Sequence, residues 1–259
     1  AAQSVRQALK ESATGVETVA QDEGVRAPQE RRAAVEERLR RFHSLFPLFH
    51  HLTLVDLDGR TLASSTYRYR GEWRRLEAFD RAKSGKTAIS PSHLSVGSMD
   101  PMISFATPVR DGDGHTVSIL VGEIPVRSVS SLVVGLAVGS EGRAFVVNSI
   151  GQVIAHPDAG RLMEQWGFSA PETPPDLKLV VAQEDGRDYL YAVAPVTVEG
   201  MLETWSVVLR VPTAEAYAYF LRTQRLTLFI RGGTLVVIGL VAAGLALSIS
   251  RPVRRVIAA

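Results

Sequence analysis

The sequence predicts an α+β fold with a long N-terminal helical stalk, two antiparallel-sheet modules in tandem, and a C-terminal helix that crosses a membrane. Three observations carry this expectation. Apolar residues recur at helical spacing over positions 1–46, a pattern of strands and turns occurs twice, and the run from Gly232 to Ile249 contains no charge. At 259 residues, 46% hydrophobic and 22% charged, the chain has material for a sizeable core and is neither disordered nor collagen-like. It has no cysteine, which excludes disulfides, thiolate metal sites and cysteine nucleophiles. It opens Ala1-Ala2-Gln3 with no initiator methionine, and reads as a processed form or a fragment.

The helical stretches come first. Val5, Leu9, Ser12, Val16 and Val19 alternate at spacings of four and three, and Val35, Leu39, Phe42 and Phe46 do so after a break at Gly24 and Pro28. Each therefore presents an apolar stripe with charges elsewhere. The stripes fit either a coiled coil with a second chain or packing against the chain's own sheets.

Strands and turns follow. Leu52 to Ser65 reads as two alternating strands joined through Asp58-Gly59, a dipeptide that favours a tight hairpin. Residues 144–157 repeat the design at an offset of 92, matching Val55 to Val147, Asp56 to Asn148, Gly59 to Gly151 and Ala63 to Ala155. Downstream, Pro108-Val109 matches Pro195-Val196 and Ile124-Pro125 matches Val211-Pro212 at an offset of 87. Separate matches in one order argue for two copies of one antiparallel unit. The segment between hairpins is about five residues longer in the first copy (Gly59 to Pro108 against Gly151 to Pro195) and carries Tyr67, Tyr69, Trp73, Arg74, Arg75, Phe79, His93 and Asp100. Long loops over a rigid sheet are where ligands tend to bind.

The tail differs in charge from the body. Residues 216–259 hold six arginines (Arg222, Arg225, Arg231, Arg251, Arg254 and Arg255) and no acid, so the 29 bases and 27 acids of the chain leave the body at 23 against 27. These arginines flank the apolar run and do not line a body that cradles phosphates, so the expected partner is a membrane and not nucleic acid. The 18 uncharged residues of Gly232 to Ile249 span about 27 Å as a helix, close to the hydrocarbon thickness of a bilayer. A buried core helix is the competing reading. Three arginines on either side leave the orientation undecided by charge.

Four pieces of the sequence together resemble the double Cache (tandem PAS-like) sensor domains of bacterial transmembrane receptors. They are FPLFHHLTLVDLDGRTLASS; ISFATPVRDGDG with the strand SILVGEIPV; GSEGRAFVVNSIGQVIAHP; and SRPVRRV, which looks like the start of a HAMP linker. The resemblance implies a stalk over 1–46, a membrane-distal PAS-like module over 47–136, a membrane-proximal one over 137–212, a membrane helix over 213–250 and the start of a HAMP linker over 251–259. It implies modules outside the inner membrane, in the periplasm, in a receptor that is a homodimer. In that family a first membrane helix precedes the stalk and an output domain follows the linker, either a histidine kinase, a diguanylate cyclase or a chemoreceptor signalling domain.

Enzymatic machinery is not expected. The six histidines (His43, His50, His51, His93, His115 and His156) show no metal-ligand spacing, and adjacent His50 and His51 would face opposite sides of a strand. Gly139-Ser140-Glu141-Gly142 is not a nucleophile elbow, and Asp111-Gly112-Asp113-Gly114 lacks the later acid of a calcium loop, so a plain turn is expected. No metal and no cofactor are expected. Binding is easier to support. Glu123 sits in an apolar strand, and a carboxylate there needs a cationic partner: Arg74, Arg75 or a ligand ammonium. In family members that bind amino acids an acid in this strand receives the amino group and an Arg-x-Trp-Tyr element holds the carboxylate. Here Glu123 replaces the usual Asp, and Glu72-Trp73-Arg74-Arg75 scrambles that element, so the ligand expected is a small polar metabolite. The candidate ligand-binding residues are Tyr67, Tyr69, Trp73, Arg74, Arg75, Asp100 and Glu123. Competing readings are loop packing for Tyr67, Tyr69 and Trp73, an internal salt bridge for Glu123, and surface positions for His93 and Asp100. The competing function is a membrane-tethered adaptor that binds a periplasmic protein.

Overall fold

The structure, a computed structural model, describes residues 2–26, 32–66, 72–95, 100–135, 139–166, 178–184 and 186–218, with Thr234 and Ile238. The expected membrane span, the HAMP-like start, Tyr67 and Tyr69 lie outside the described residues, the two isolated positions apart. Among the described residues no helix is long and apolar enough to cross a membrane.

Three helices open the chain, α1 (Ala2–Ala20), α2 (Glu23–Arg26) and α3 (Arg32–Leu45). The expected stripe of α1 is buried throughout: Val5, Leu9, Ser12, Val16 and Val19 all lie inside. What covers it is this chain's own sheets, which decides between the two packings the spacing allowed. Each fully buried Val or Leu of the stripe contributes about 1.5–3 kcal/mol. Gly15 is small for a reason, since a Cβ there would stand 2.9 Å from the ring of Phe46.

The first sheet is built from β1 (His51–Val55), β2 (Thr61–Ser64), then, after helix α4 (Glu77–Lys83), β3 (Ala88–Ile89), β4 (His93–Leu94), β5 (Pro101–Arg110) and β6 (Thr116–Pro125). Helix α5 (Val126–Val134) leads to the second sheet, β7 (Arg143–Val147), β8 (Val153–Ala155), β9 (Lys178–Glu184), β10 (Arg187–Val196) and β11 (Trp205–Pro212). Strand order is β2-β1-β6-β5-β3, with β4 also on β5, in the first sheet and β8-β7-β11-β10-β9 in the second; every pairing within the sheets is antiparallel.

The two sheets repeat one another residue by residue. Leu54 pairs with Ala63, and 92 positions on Val146 pairs with Ala155. A bulge follows at the same place in each, between Leu54 and Val55 and between Val146 and Val147. In the central pair Ser104 faces Glu123, and 87 positions on Tyr191 faces Arg210. The hairpins share their chemistry. Asp56 Oδ1 accepts the Arg60 amide at 2.7 Å, and its counterpart Asn148 accepts the Gln152 amide at 2.8 Å. Each turn closes through a glycine in the left-handed region, Gly59 at φ +83° and Gly151 at φ +80°.

Alternation along the strands gives the first sheet two faces. Leu52, Leu54, Ile103, Phe105, Leu120 and Ile124 join the core cluster that contains α1 and α5 residues. His51, Val55, Ser104, Ala106, Val121 and Glu123 take the other face, which Trp73, Phe79 and Ala82 cover.

Candidate functional site

The candidate site lies on that second face, across the three central strands. Register brings His51 of β1 and Ser104 of β5 to either side of Glu123 of β6. Glu123 is 2% exposed and His51 0%, so this is a carboxylate and an imidazole removed from water. Ser104 Oγ donates to Glu123 Oε1 at 3.0 Å, and His93 Nε2 stands 3.3 Å from the same oxygen. His51 Nε2 stands 3.2 Å from Oε2. Burial lowers the His51 pKa below its ordinary value, against the opposing pull of Glu123. Behind His51 the Trp73 ring closes the site, its centroid 6.2 Å from the imidazole and its indole N–H donating to Thr61 Oγ1 at 3.4 Å.

His93 is held from both sides. Its Nδ1 lies 3.1 Å from the Pro91 carbonyl and 3.3 Å from Ser90 Oγ, and its side chain is 23% exposed. The site thus has one acid ringed by donors, with one of those donors open toward solvent.

The sequence-derived candidates separate on the structure. Glu123 and Trp73 are buried together on the site face. Of the partners open for Glu123, neither Arg74 nor Arg75 lies against it; among the described residues His51, His93 and Ser104 do. The physical reason is the 3-10 turn Trp73–Arg75, which points the indole inward and both following side chains outward. Arg75 pairs with Glu72 at 2.8 Å, and the stem of Arg74 covers Gly59. Asp100 lies at the surface and pairs with Arg127 at 3.2 Å. His93, which the sequence suggested as a surface residue, instead reaches Glu123. No sequence signal marks it, because it depends on the pairing of His93 with Met102 in a two-residue strand. His51 does carry a signal, since it alternates with Thr53 and Val55 on one strand face.

The second sheet fills the same positions differently. Arg143, Tyr191 and Arg210 stand where His51, Ser104 and Glu123 stand in the first. Arg210 is paired within the sheet: its Nε lies 2.8 Å from Glu184 Oε2 in an ion pair and its guanidinium stacks 3.8 Å over the Tyr189 ring. Tyr191 donates to Glu184 Oε2 at 2.7 Å, and burial, with the Glu184 hydrogen bond, pushes its pKa up to about 12. In the β5–β6 turn, Asp111, Asp113 and His115 offer ligand atoms within 4.8 Å of one another. Asp111 Oδ1 is there already taken by the Asp113 and His115 amides, at 3.0 and 2.9 Å, as in any Asx turn.

Two sheets of one strand order with an N-terminal helix along both define the tandem PAS-like class of sensor fold. The Cache domain model of the dCache_1 family matches residues 1–219, and the chain belongs to that family. The methyl-accepting chemotaxis protein PctB of Pseudomonas aeruginosa is 24% identical over 207 residues, 78% of this chain and 31% of PctB. McpA of Pseudomonas putida, also a methyl-accepting chemotaxis protein, is 26% identical over 144 residues, 53% of this chain and 22% of that protein. The chain therefore spans less than a third of these relatives' length. The solved ligand-binding domain of the Pseudomonas fluorescens chemoreceptor CtaA in complex with L-isoleucine superposes with a TM-score of 0.64 at 19% identity, covering 84% of this chain and 90% of that one. That of PctB in complex with L-Arg gives a TM-score of 0.64 at 20% identity, covering 83% and 92%.

Proposed function

We propose that this chain is the extracytoplasmic ligand-sensing part of a bacterial transmembrane receptor, and that a small polar metabolite carrying an amine binds in the first module against Glu123. The observation that carries the reading is the buried Glu123 carboxylate, ringed by His51, His93 and Ser104 on the covered face of the first sheet. A carboxylate held this deep favours a cation or a strong donor beside it. Solved domains of similar fold in complex with L-Arg, L-isoleucine and GABA each hold a small molecule that carries an amine, which supports an amine-bearing ligand here. Arg74 and Arg75 face solvent, and the Arg-x-Trp-Tyr element is scrambled in this sequence, so the reading asks for an amine and not for an α-carboxylate.

The receptor we infer sits in the inner membrane as a homodimer, with residues 232–249 as its span and 251–259 as the start of a HAMP linker. Residues 213–218 continue β11 directly into a helix. That helix is tied to the second sheet, with Thr213 Oγ1 donating to the Asp188 carbonyl at 2.9 Å and Ser140 Oγ donating to Glu215 at 2.9 Å. Movement of the second sheet is therefore movement of the helix start. The ligand drives such movement only in so far as it binds one arrangement more tightly than the other.

The test is a thermal-shift and calorimetric screen of the purified chain with L-arginine, L-glutamine, GABA, simple mono- and diamines, and dicarboxylates. An amine that stabilises the wild type and not Glu123→Gln is the expected result. Stabilisation by dicarboxylates alone, or stabilisation that Glu123→Gln leaves intact, overturns the reading.

A further inference from the structure

The second sheet reaches into the first one's site. Between β10 and β11, residues 197–204 leave their own sheet and lie along β3. The Ile89 amide donates to the Gly200 carbonyl at 2.8 Å, and the Leu202 amide donates back to the Ile89 carbonyl at 3.1 Å, so Met201 forms a parallel bridge with Ile89. Gly200 has φ +85°, and a Cβ on it would stand 2.7 Å from the Thr87 carbonyl oxygen; only glycine fits both the conformation and the approach. Leu202 packs against the cluster of Val55, Trp73, Phe79 and Val121 that covers the site face. Glu203 accepts from Ser149 Oγ at 3.2 Å and sits against the Ser92 amide and the Trp205 indole.

From β3 a short strap runs into the site. The Ser90 amide donates to the Ser104 carbonyl at 2.8 Å, and Ser90 Oγ accepts the Ser104 amide at 2.9 Å. Ser92 meets Glu203, and His93 meets Glu123. The strap from Ile89 to His93 is thus bonded to the second module at Ile89, passes Glu203 at Ser92 and ends on the buried acid. The other links between the sheets, α1 and α5, pack on the opposite face.

We propose that the 197–204 loop of the second module is a positioning element of the first module's site, with Leu202 and Glu203 setting where His93 stands against Glu123. Seating of the loop and the state of the site are then one equilibrium: whatever shifts His93 shifts the loop, and the reverse holds by linkage. The role in signalling rests on the ligand reading given above, while the coupling does not and is tested with no ligand present.

The experiment follows the reactivity of individual histidines in the full chain toward diethyl pyrocarbonate at neutral pH, by peptide mass spectrometry, in wild type, Gly200→Ala, Leu202→Ala, Leu202→Met and Glu203→Gln. Hydrogen exchange over residues 86–95 is measured alongside. His115 and His156 serve as controls for general loosening. The expected result is His93 modification at least threefold faster in Gly200→Ala and Leu202→Ala, faster exchange at Ile89, controls unchanged, and near-wild-type behaviour in Leu202→Met. Should Gly200→Ala fail to fold, Leu202→Ala and Glu203→Gln carry the same comparison. Unchanged His93 reactivity in every folded variant overturns the proposal, whether or not exchange shows that the loop has lifted, and so does acceleration shared equally by His93 and the controls. A failed ligand screen beside accelerated His93 overturns only the ligand reading.

Discussion

Glu123 and Arg210 occupy the same place in two copies of one sheet and carry opposite charges. Each sits in the central strand opposite the residue of the neighbouring long strand, Ser104 or Tyr191, and across from the first strand of its hairpin, His51 or Arg143. The first copy surrounds its acid with neutral or titratable donors and leaves His93 partly open. The second copy closes its base with Glu184 and Tyr189. One architecture thus holds a buried acid among His51, His93 and Ser104 in one copy and a base paired within its own sheet in the other.

Removing the base tests that closure. Arg210→Ala unpairs Glu184 and takes the guanidinium off Tyr189, at an expected loss of about 1 kcal/mol of stability. Arg210→Lys restores charge and not the flat stacking surface, so it recovers only part of that loss. Urea denaturation of the three proteins measures it. A lysine variant as stable as wild type would show that charge alone matters here.

The pH dependence has a definite sign. His51 is held below its ordinary pKa mainly by burial, with the Glu123 hydrogen bond and charge pulling upward and His50 and His43 pulling down. In the unfolded chain an imidazole titrates near 6.5. As pH falls below about 6.5 the unfolded chain takes up a proton that folded His51 declines, so stability is complete above that pH and declines below it. The limiting slope is about 1.4 kcal/mol per pH unit for one histidine. His156, also lowered by burial, acts in the same direction. Denaturation midpoints between pH 5 and 8 should fall on acidification, and His51→Gln should remove part of the slope; an unchanged slope would mean the ring is already protonated when folded.

Much of the fold was legible because repetition and periodicity are properties of spacing alone. Val5, Leu9, Ser12, Val16 and Val19 give the buried side of α1 without knowledge of what covers it. The matches of Val55 with Val147 and Ala63 with Ala155 give the duplicated hairpin, to which the structure adds a bulge at the same place in each copy. The site was half legible. Glu123 stands out as an acid in an apolar strand, but its partners depend on which side chains a turn aims inward. One 3-10 turn buries Trp73 and exposes Arg74 and Arg75, and composition is the same for either choice. His93 reaches the acid only because β4 folds onto β5, a pairing of two residues that no pattern of this length announces.

Gly122, next to the acid, is expected to tolerate no side chain. It is the inner-face neighbour of Phe49, and a Cβ there would stand 2.6 Å from the Phe49 ring and 3.1 Å from Leu52. Gly122→Ala should destabilise by about 1–3 kcal/mol through overpacking. In a Phe49→Ala background the ring is gone and the same change should be much milder, so a double-mutant cycle should give a coupling above about 0.5 kcal/mol. Additive effects would place the strain elsewhere.

Helix α1 packs on both sheets, as α5 does, touching β5 and β6 of the first, β10 of the second and α5 between them. Its side chains bind the sheets in turn, with Arg6 donating to the Pro195 carbonyl at 3.0 Å in the second while the core residues Val16 and Val19 join the cluster that includes Phe105 of the first. A shared helix of this kind makes two sheets unfold as one, because neither can lose it without exposing the other's core. The tryptophans report the sheets separately: Trp73 belongs to the first, Trp166 and Trp205 to the second. Fluorescence of Trp73→Phe and of the Trp166→Phe/Trp205→Phe double variant should give coincident melting midpoints in an otherwise wild-type chain. Leu9→Ala, which removes a 2% exposed side chain from the middle of the helix, should lower stability by about 2–5 kcal/mol and pull the two midpoints apart. Midpoints that stay together after that loss would mean that α5 and the 197–204 loop join the sheets without help from α1.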